Sequence, residues 1–172
     1  MSTAELSGSG SIPPEAAGYL AQAVALAVQN VGSAGGPFGA LVVAPDGRVF
    51  EGTNRVTASN DPTAHAEVVA IRTACTGLES FDLTGCVLYS SCEPCPLCLS
   101  AALWARLDRI YFAADRHAAA AAGFDDAAFY EYIHSYSGAA AGSDLLPVEQ
   151  VLVPESVEPF RSWAALDTRT DY

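Results

Sequence analysis

The sequence predicts an α/β fold: a three-layer α/β/α sandwich around a central mixed sheet. Three observations carry this expectation. An apolar stretch of helical period follows Pro13, a strand pair is joined at Pro45-Asp46-Gly47, and short β-branched runs then alternate with helical stretches.

The elements follow in order. Residues 1–11 are rich in Ser and Gly without periodicity and read as a disordered tail before a single domain over 12–172. Pro13, Pro14 and Glu15 open a helix whose apolar face is read as Ala17, Leu20, Ala21, Val24, Val28 and Val31, stopped by Gly32, Gly35 and Gly36. Phe38 to Ala44 and Arg48 to Gly52 form an antiparallel pair, with Gly47 supplying the positive φ of a tight turn. Asp61 or Thr63 caps a second helix reaching about Cys75, and Val87 to Tyr89 is a short buried strand. Pro96 suits the first turn of a third helix, Leu97 to Arg106, because its missing N–H has no partner there in any case. Ile110 to Ala113 is the next strand. An Ala-rich stretch, Ala118 to Ala122, and a helix to Ile133 come after it, then a loop over Ser135 to Gly142. Val148 to Val153 reads as a strand and Pro159 to Leu166 as a short helix with Trp163 on its apolar side.

Composition narrows the partners. Half of the 172 residues are hydrophobic, enough to fill a single core. Twenty acids stand against eight bases, all arginine, for a formal charge of −12. Such a surface repels phosphate, whereas a protein tracking a nucleic-acid backbone draws its affinity from a basic stripe. An uncharged small molecule is the expected partner, with no nucleic acid. No apolar run is long enough for a membrane span, no base precedes Arg48 to make a signal peptide, and a cytoplasmic location follows. Five cysteines, three of them at Cys92, Cys95 and Cys98, suggest metal rather than disulfides in such a reducing compartment.

The chemistry concentrates in two segments. His65-Ala66-Glu67 opens one helix, Pro94-Cys95-Pro96-Leu97-Cys98 opens another, and the two helix ends are positioned to meet. One imidazole and two thiolates on zinc leave a fourth tetrahedral position for water, the pattern of a catalytic site. Helix N-termini favour thiolate over thiol. Glu67, two residues from His65, is not needed as a ligand and can carry the proton of the attacking water, which contributes about two to four powers of ten in rate.

His-x-Glu followed by Pro-Cys-x-x-Cys is a signature of zinc deaminases acting on nucleobases. The chain resembles the cytidine deaminase superfamily. Gly36 to Ala40, Asn60 to Glu67, Ser91 to Cys98 and Gly123 to Asp126 are similar to its bacterial guanine deaminase branch. The resemblance covers nearly everything from the first helix to Tyr172 and weakens between the third helix and Gly123, around Arg116, His117 and the alanine run. It implies a cytidine deaminase-like fold, one zinc held by His65, Cys95 and Cys98, and Glu67 as proton shuttle. It further implies Asn54 on the purine edge, Phe38 stacked on the ring, and Asp126 with Tyr172 reading the guanine face. The implied reaction is hydrolytic deamination of guanine to xanthine and ammonia. In this branch a C-terminal segment, here about 155–172, is swapped onto a neighbouring subunit, which implies a homodimer.

Other readings stand beside these. Cys92-Glu93-Pro94-Cys95 is itself a Cys-x-x-Cys pair, and Cys92 is otherwise a buried thiol at a strand end; a redox pair would leave His-x-Glu without a task. A structural zinc site would use Cys92 as fourth ligand, giving a non-catalytic binding module. Phe38 is otherwise a core aromatic, Asn54 a turn former, and Asp126 a solvated charge or cap. Guanosine, cytosine, cytidine or another aminopurine are rival substrates that the zinc motif does not separate. A deaminase acting on adenosine in tRNA shares the motif, and the acidity opposes it.

Overall fold

The computed structural model describes residues 13–33, 35–136 and 145–170, so the expected tail and Tyr172 lie outside the described residues. Its elements are α1 (Pro14–Val31), β1 (Gly39–Val43), β2 (Val49–Thr53), α2 (Val56–Ser59), α3 (Ala66–Leu78), β3 (Val87–Cys92), α4 (Pro96–Trp104), β4 (Arg109–Ala114), α5 (Arg116–Ala121), α6 (Ala127–Ser135) and α7 (Glu158–Ala164). The sheet runs β2-β1-β3-β4. β1 is antiparallel to both β2 and β3, and β3 is parallel to β4, joined by the α4 crossover; the sheet is therefore mixed, as expected.

The two-residue period of the strands divides the interior in two. Ala40, Val42 and Leu88 face α3 and α4, where they meet Ala66, Ala70, Ile71, Ala74 and Ala102. Leu41 and Tyr89, with Val43, Val87 and Tyr111, face α1. Apolar packing thus lies on each side of the sheet, which makes the three layers expected. The hairpin turn is as expected, with Gly47 at φ 87°. On β2 the α3 backbone comes so close that a methyl group on Gly52 would run into the Ala66 carbonyl oxygen and the Ala70 amide. That approach seats the start of α3 against the sheet.

Several expectations are corrected. The buried face of α1 is Ala16, Ala23, Ala27 and Asn30, whereas Val24, Val28 and Val31 are exposed at 40%, 68% and 57%. Small side chains bring the helix close to the strands, and the polar Asn30 on this face disguises its period. Neither Asp61 nor Thr63 caps α3. Asp61 Oδ1 instead accepts from the Thr63 N–H (2.8 Å) and hydroxyl (2.6 Å), closing a turn, and His65 is the N-cap. The short α2 before this turn was not foreseen. Residues 148–153 form no strand; Val151 and Leu152 are about three-quarters exposed. A β-prone run becomes a strand only where a neighbouring backbone accepts its hydrogen bonds, and among the described residues none pairs with this one. α7 forms where a terminal helix was expected, but buries none of its residues. No helix among the described residues is long and apolar enough to cross a membrane.

Candidate active site

The β3–α4 crossover and the start of α3 bring two helix N-termini together. His65 is the N-cap of α3 and Cys95 the N-cap of α4, both with extended backbone, and Cys98 lies one turn into α4. The three ligand atoms form a triangle. Cys95 Sγ and Cys98 Sγ each lie 3.5 Å from His65 Nδ1 and 3.6 Å from one another. A tetrahedral zinc with Zn–S of about 2.3 Å and Zn–N of about 2.0 Å has edges of about 3.5 Å for S···N and about 3.8 Å for S···S. The triangle therefore fits the ion. Among the described residues these three are the cluster able to hold a metal. Cys92, the rival ligand, is buried at the end of β3 with its Sγ 3.7 Å from the Asp115 carbonyl oxygen.

The electrostatics suit a cation. The Cys98 thiol, hydrogen-bonded to Cys95, pulls Cys95 down to about 4, with further help from His65. The same contact, together with burial, pushes Cys98 up. Two sulfurs this close share one proton until a divalent ion replaces it. His65 is raised, first by its hydrogen bond with Cys95. In the first turn of α3, Glu67 is only 5% exposed, and burial pushes its carboxyl up. The Ser90 hydroxyl, itself buried on β3, donates to Glu67 Oε1 at 3.2 Å.

A cavity of about 490 Å³ opens above this cluster, within the ~300–1,000 Å³ span usual for small-molecule sites. His65, Cys95 and Glu67 belong to its wall, as do Phe38, Asn54 and Asp126, so six of the residues singled out from the sequence share one chamber. Tyr172 lies outside the described residues. Asn54, after the end of β2, is 8% exposed, and its Oδ1 accepts from the N–H groups of Gly36 (3.4 Å) and Val56 (3.3 Å). Phe38 meets Phe124 edge to face, with centroids 4.9 Å apart and planes at 85°. Asp126 is raised, first by burial and then by the Cys95 charge.

Sequence reasoning missed part of the wall. Arg116, noted only where the resemblance weakens, pairs with Glu93 Oε1 at 2.8 Å and places its guanidinium 4.2 Å from the centroid of the Tyr130 ring. The Tyr130 hydroxyl donates to the Pro94 carbonyl at 2.9 Å. This set ties α5 and α6, which follow the sheet, to the loop carrying Cys95. Partners 23 and 36 residues apart left no local signal for it. Ser90 and Asn30 were missed as well, although a polar residue inside an apolar strand or helix face is a legible sign.

A family profile described as the cytidine and deoxycytidylate deaminase zinc-binding region matches residues 14–114. A guanine deaminase from Bacillus subtilis is 45% identical over 155 residues, covering 90% of this chain and 97% of that protein. The X-ray structure of a guanine deaminase from the same species superposes with a TM-score of 0.84 at 43% identity, covering 94% of this chain and 99% of that one. A tRNA-specific adenosine deaminase from Agrobacterium fabrum is 46% identical, but over 45% of this chain and 51% of its own length. On the profile, the full-length likeness and a His65–Cys95–Cys98 triangle of zinc dimensions, the chain belongs to the cytidine and deoxycytidylate deaminase family of zinc enzymes.

Proposed function

We propose that this chain hydrolyses the 2-amino group of guanine, giving xanthine and ammonia. The observation that carries the reading is a buried carboxylate, Glu67, on the wall of the same aromatic-sided cavity as the zinc ligands. The likeness to guanine deaminase supports the choice of substrate, because it extends past the zinc motif to the segments bearing Phe124 and Asp126.

His65, Cys95 and Cys98 would hold zinc here, and the ion would supply a bound water acidified to a pKa of about 7, able to act as a nucleophile at neutral pH. Glu67 takes the proton released as the C2–O bond forms and delivers it to the adjacent ring nitrogen. It then takes the second proton from the new C2 hydroxyl and passes it to the amine; the C2–N bond breaks as C2=O forms, ammonia leaves and the carboxylate ends as it began. Its burial keeps the proton off bulk water between the two transfers. Phe38 holds the base by its face, Asn54 donates from Nδ2 to the purine edge, and Asp126 with Tyr172 takes the N–H groups of the guanine face. The net charge of −12 supports a neutral base rather than a nucleic acid.

Residues 12–172 act as one deaminase domain in a cytoplasmic homodimer. For the dimer, the support is the apolar side chains displayed along the C-terminal segment, with Phe160 73% and Trp163 42% exposed. A second copy receiving residues 155–172 as a swapped arm would cover them.

The test is ammonia release by the zinc-loaded protein from guanine, guanosine, adenine, cytosine, cytidine and a tRNA, with Glu67→Ala as control. Turnover of guanine that vanishes in the control is expected. Preference for another member would replace the substrate, and an active control would remove Glu67 from the mechanism.

A further inference from the structure

We propose that Asn30, at the end of α1 and outside the cavity wall, is a positioning residue that aims Asn54 at the substrate. The inference rests on the reading of Asn54 as a purine contact.

Asn30 is 4% exposed on a helix face otherwise made of alanine. A helix does not bury an amide among apolar neighbours without giving its donors partners. Asn30 Nδ2 donates to two backbone carbonyls, Asn54 O at 2.8 Å and Gly36 O at 2.9 Å. Its own carbonyl accepts from the N–H groups of Ser33 (2.9 Å) and Gly35 (3.3 Å). One residue thus ties the helix end to the glycine turn and to the end of β2.

The tie determines what Asn54 presents. With Gly36 held by Asn30, the Gly36 N–H reaches Asn54 Oδ1, and the Val56 N–H reaches the same oxygen. Oδ1 is therefore committed to two donors, the amide has one orientation, and Nδ2 remains to donate to a ligand. Asn54 N–H donates to Phe38 O (3.1 Å) and Phe38 N–H to Gly36 O (2.8 Å), backbone bonds that the Asn30 side chain does not make. The turn has no room to substitute for this arrangement: a methyl group on Gly35 would strike both Asn30 Nδ2 and Asn54 O. A helix end that needed only a stop would tolerate a side chain there.

The experiment is a double-mutant cycle on the zinc-loaded enzyme: wild type, Asn30→Ala, Asn54→Ala and the pair, each checked for zinc content and melting temperature. Loss of a buried hydrogen-bonding partner corresponds to a drop of about ten- to a hundredfold in kcat/KM for guanine, expressed mainly in KM. Asn30→Ala is expected to show that drop with zinc retained. In the Asn54→Ala background the same change is expected to add less than about twofold, because its route of action is already gone. Should Asn30→Ala fail to fold, Gly35→Ala disturbs the same link and enters the cycle in its place. Equal losses in both backgrounds, or no loss in either, would overturn the positioning role and leave Asn54 as a contact. An unchanged KM in Asn54→Ala alone would overturn the contact and the proposal with it.

Discussion

Replacing Glu67 by Gln separates proton transfer from every other contribution of the site. Glutamine has nearly the same shape, can still accept the hydrogen bond that the Ser90 hydroxyl makes at 3.2 Å, and stays as buried as the 5%-exposed carboxylate it replaces. It cannot shuttle a proton. The loss therefore falls on general acid–base catalysis, about two to four powers of ten in kcat, or roughly 3–5 kcal/mol of barrier. Folding responds in the opposite direction. Burial raises the Glu67 carboxyl, because the ionised form is disfavoured in that place. The neutral amide removes that cost, and the variant should melt at or above the wild-type temperature with its zinc in place. Ammonia release, elemental analysis and a thermal melt read the three quantities. Turnover within a few-fold of wild type would refute the shuttle. Activity falling only in proportion to lost zinc would show that the residue supports the metal instead.

Other expectations follow from the same geometry. Cys95→Ala should lose zinc and melt lower, whereas Cys92→Ala, whose sulfur faces the Asp115 carbonyl, should keep zinc by elemental analysis; a zinc-free Cys92→Ala protein would move the site. Gly52→Ala should destabilise folding by about 1–3 kcal/mol or more in urea titration and weaken zinc binding, since the added methyl displaces the first turn of α3 that His65 caps. Unchanged stability there would mean that α3 slides freely on β2. Deleting Ala164 to Tyr172 should lower turnover while leaving the core melt intact, because α7 buries none of its residues against the rest of the chain. Unaltered kinetics would remove the terminal arm from the site.

How far the sequence reveals this protein depends on whether a residue's role is local. The alternation of 40, 42 and 88 against 41 and 89 is a strand's own periodicity, so the sheet and its two covered faces were legible. The zinc triangle was legible too, because His65 and Cys95 are N-caps and Cys98 follows one turn on, all within short motifs. The face of α1 was misread because valines attract attention that alanines do not, and the residue completing the alanine stripe is the polar Asn30. Val148 to Val153 has the composition of a strand, yet pairing is decided by a neighbour that the segment does not contain. The Glu93–Arg116–Tyr130–Pro94 set joins distant segments through an ion pair, a ring face and a carbonyl, with no spacing rule to announce it. Asn54, Phe38 and Asp126 came from resemblance, and the fold brings all three to one cavity wall.

In the proposed reaction water replaces the 2-amino group of guanine. The measurement that addresses it most directly is the mass of the product formed by the zinc-loaded protein from guanine in water enriched with heavy oxygen. Xanthine carrying one heavy oxygen, released together with one equivalent of ammonia, is the predicted result. Guanine left intact, or a product with no solvent oxygen, would rule out hydrolytic deamination of guanine by this protein.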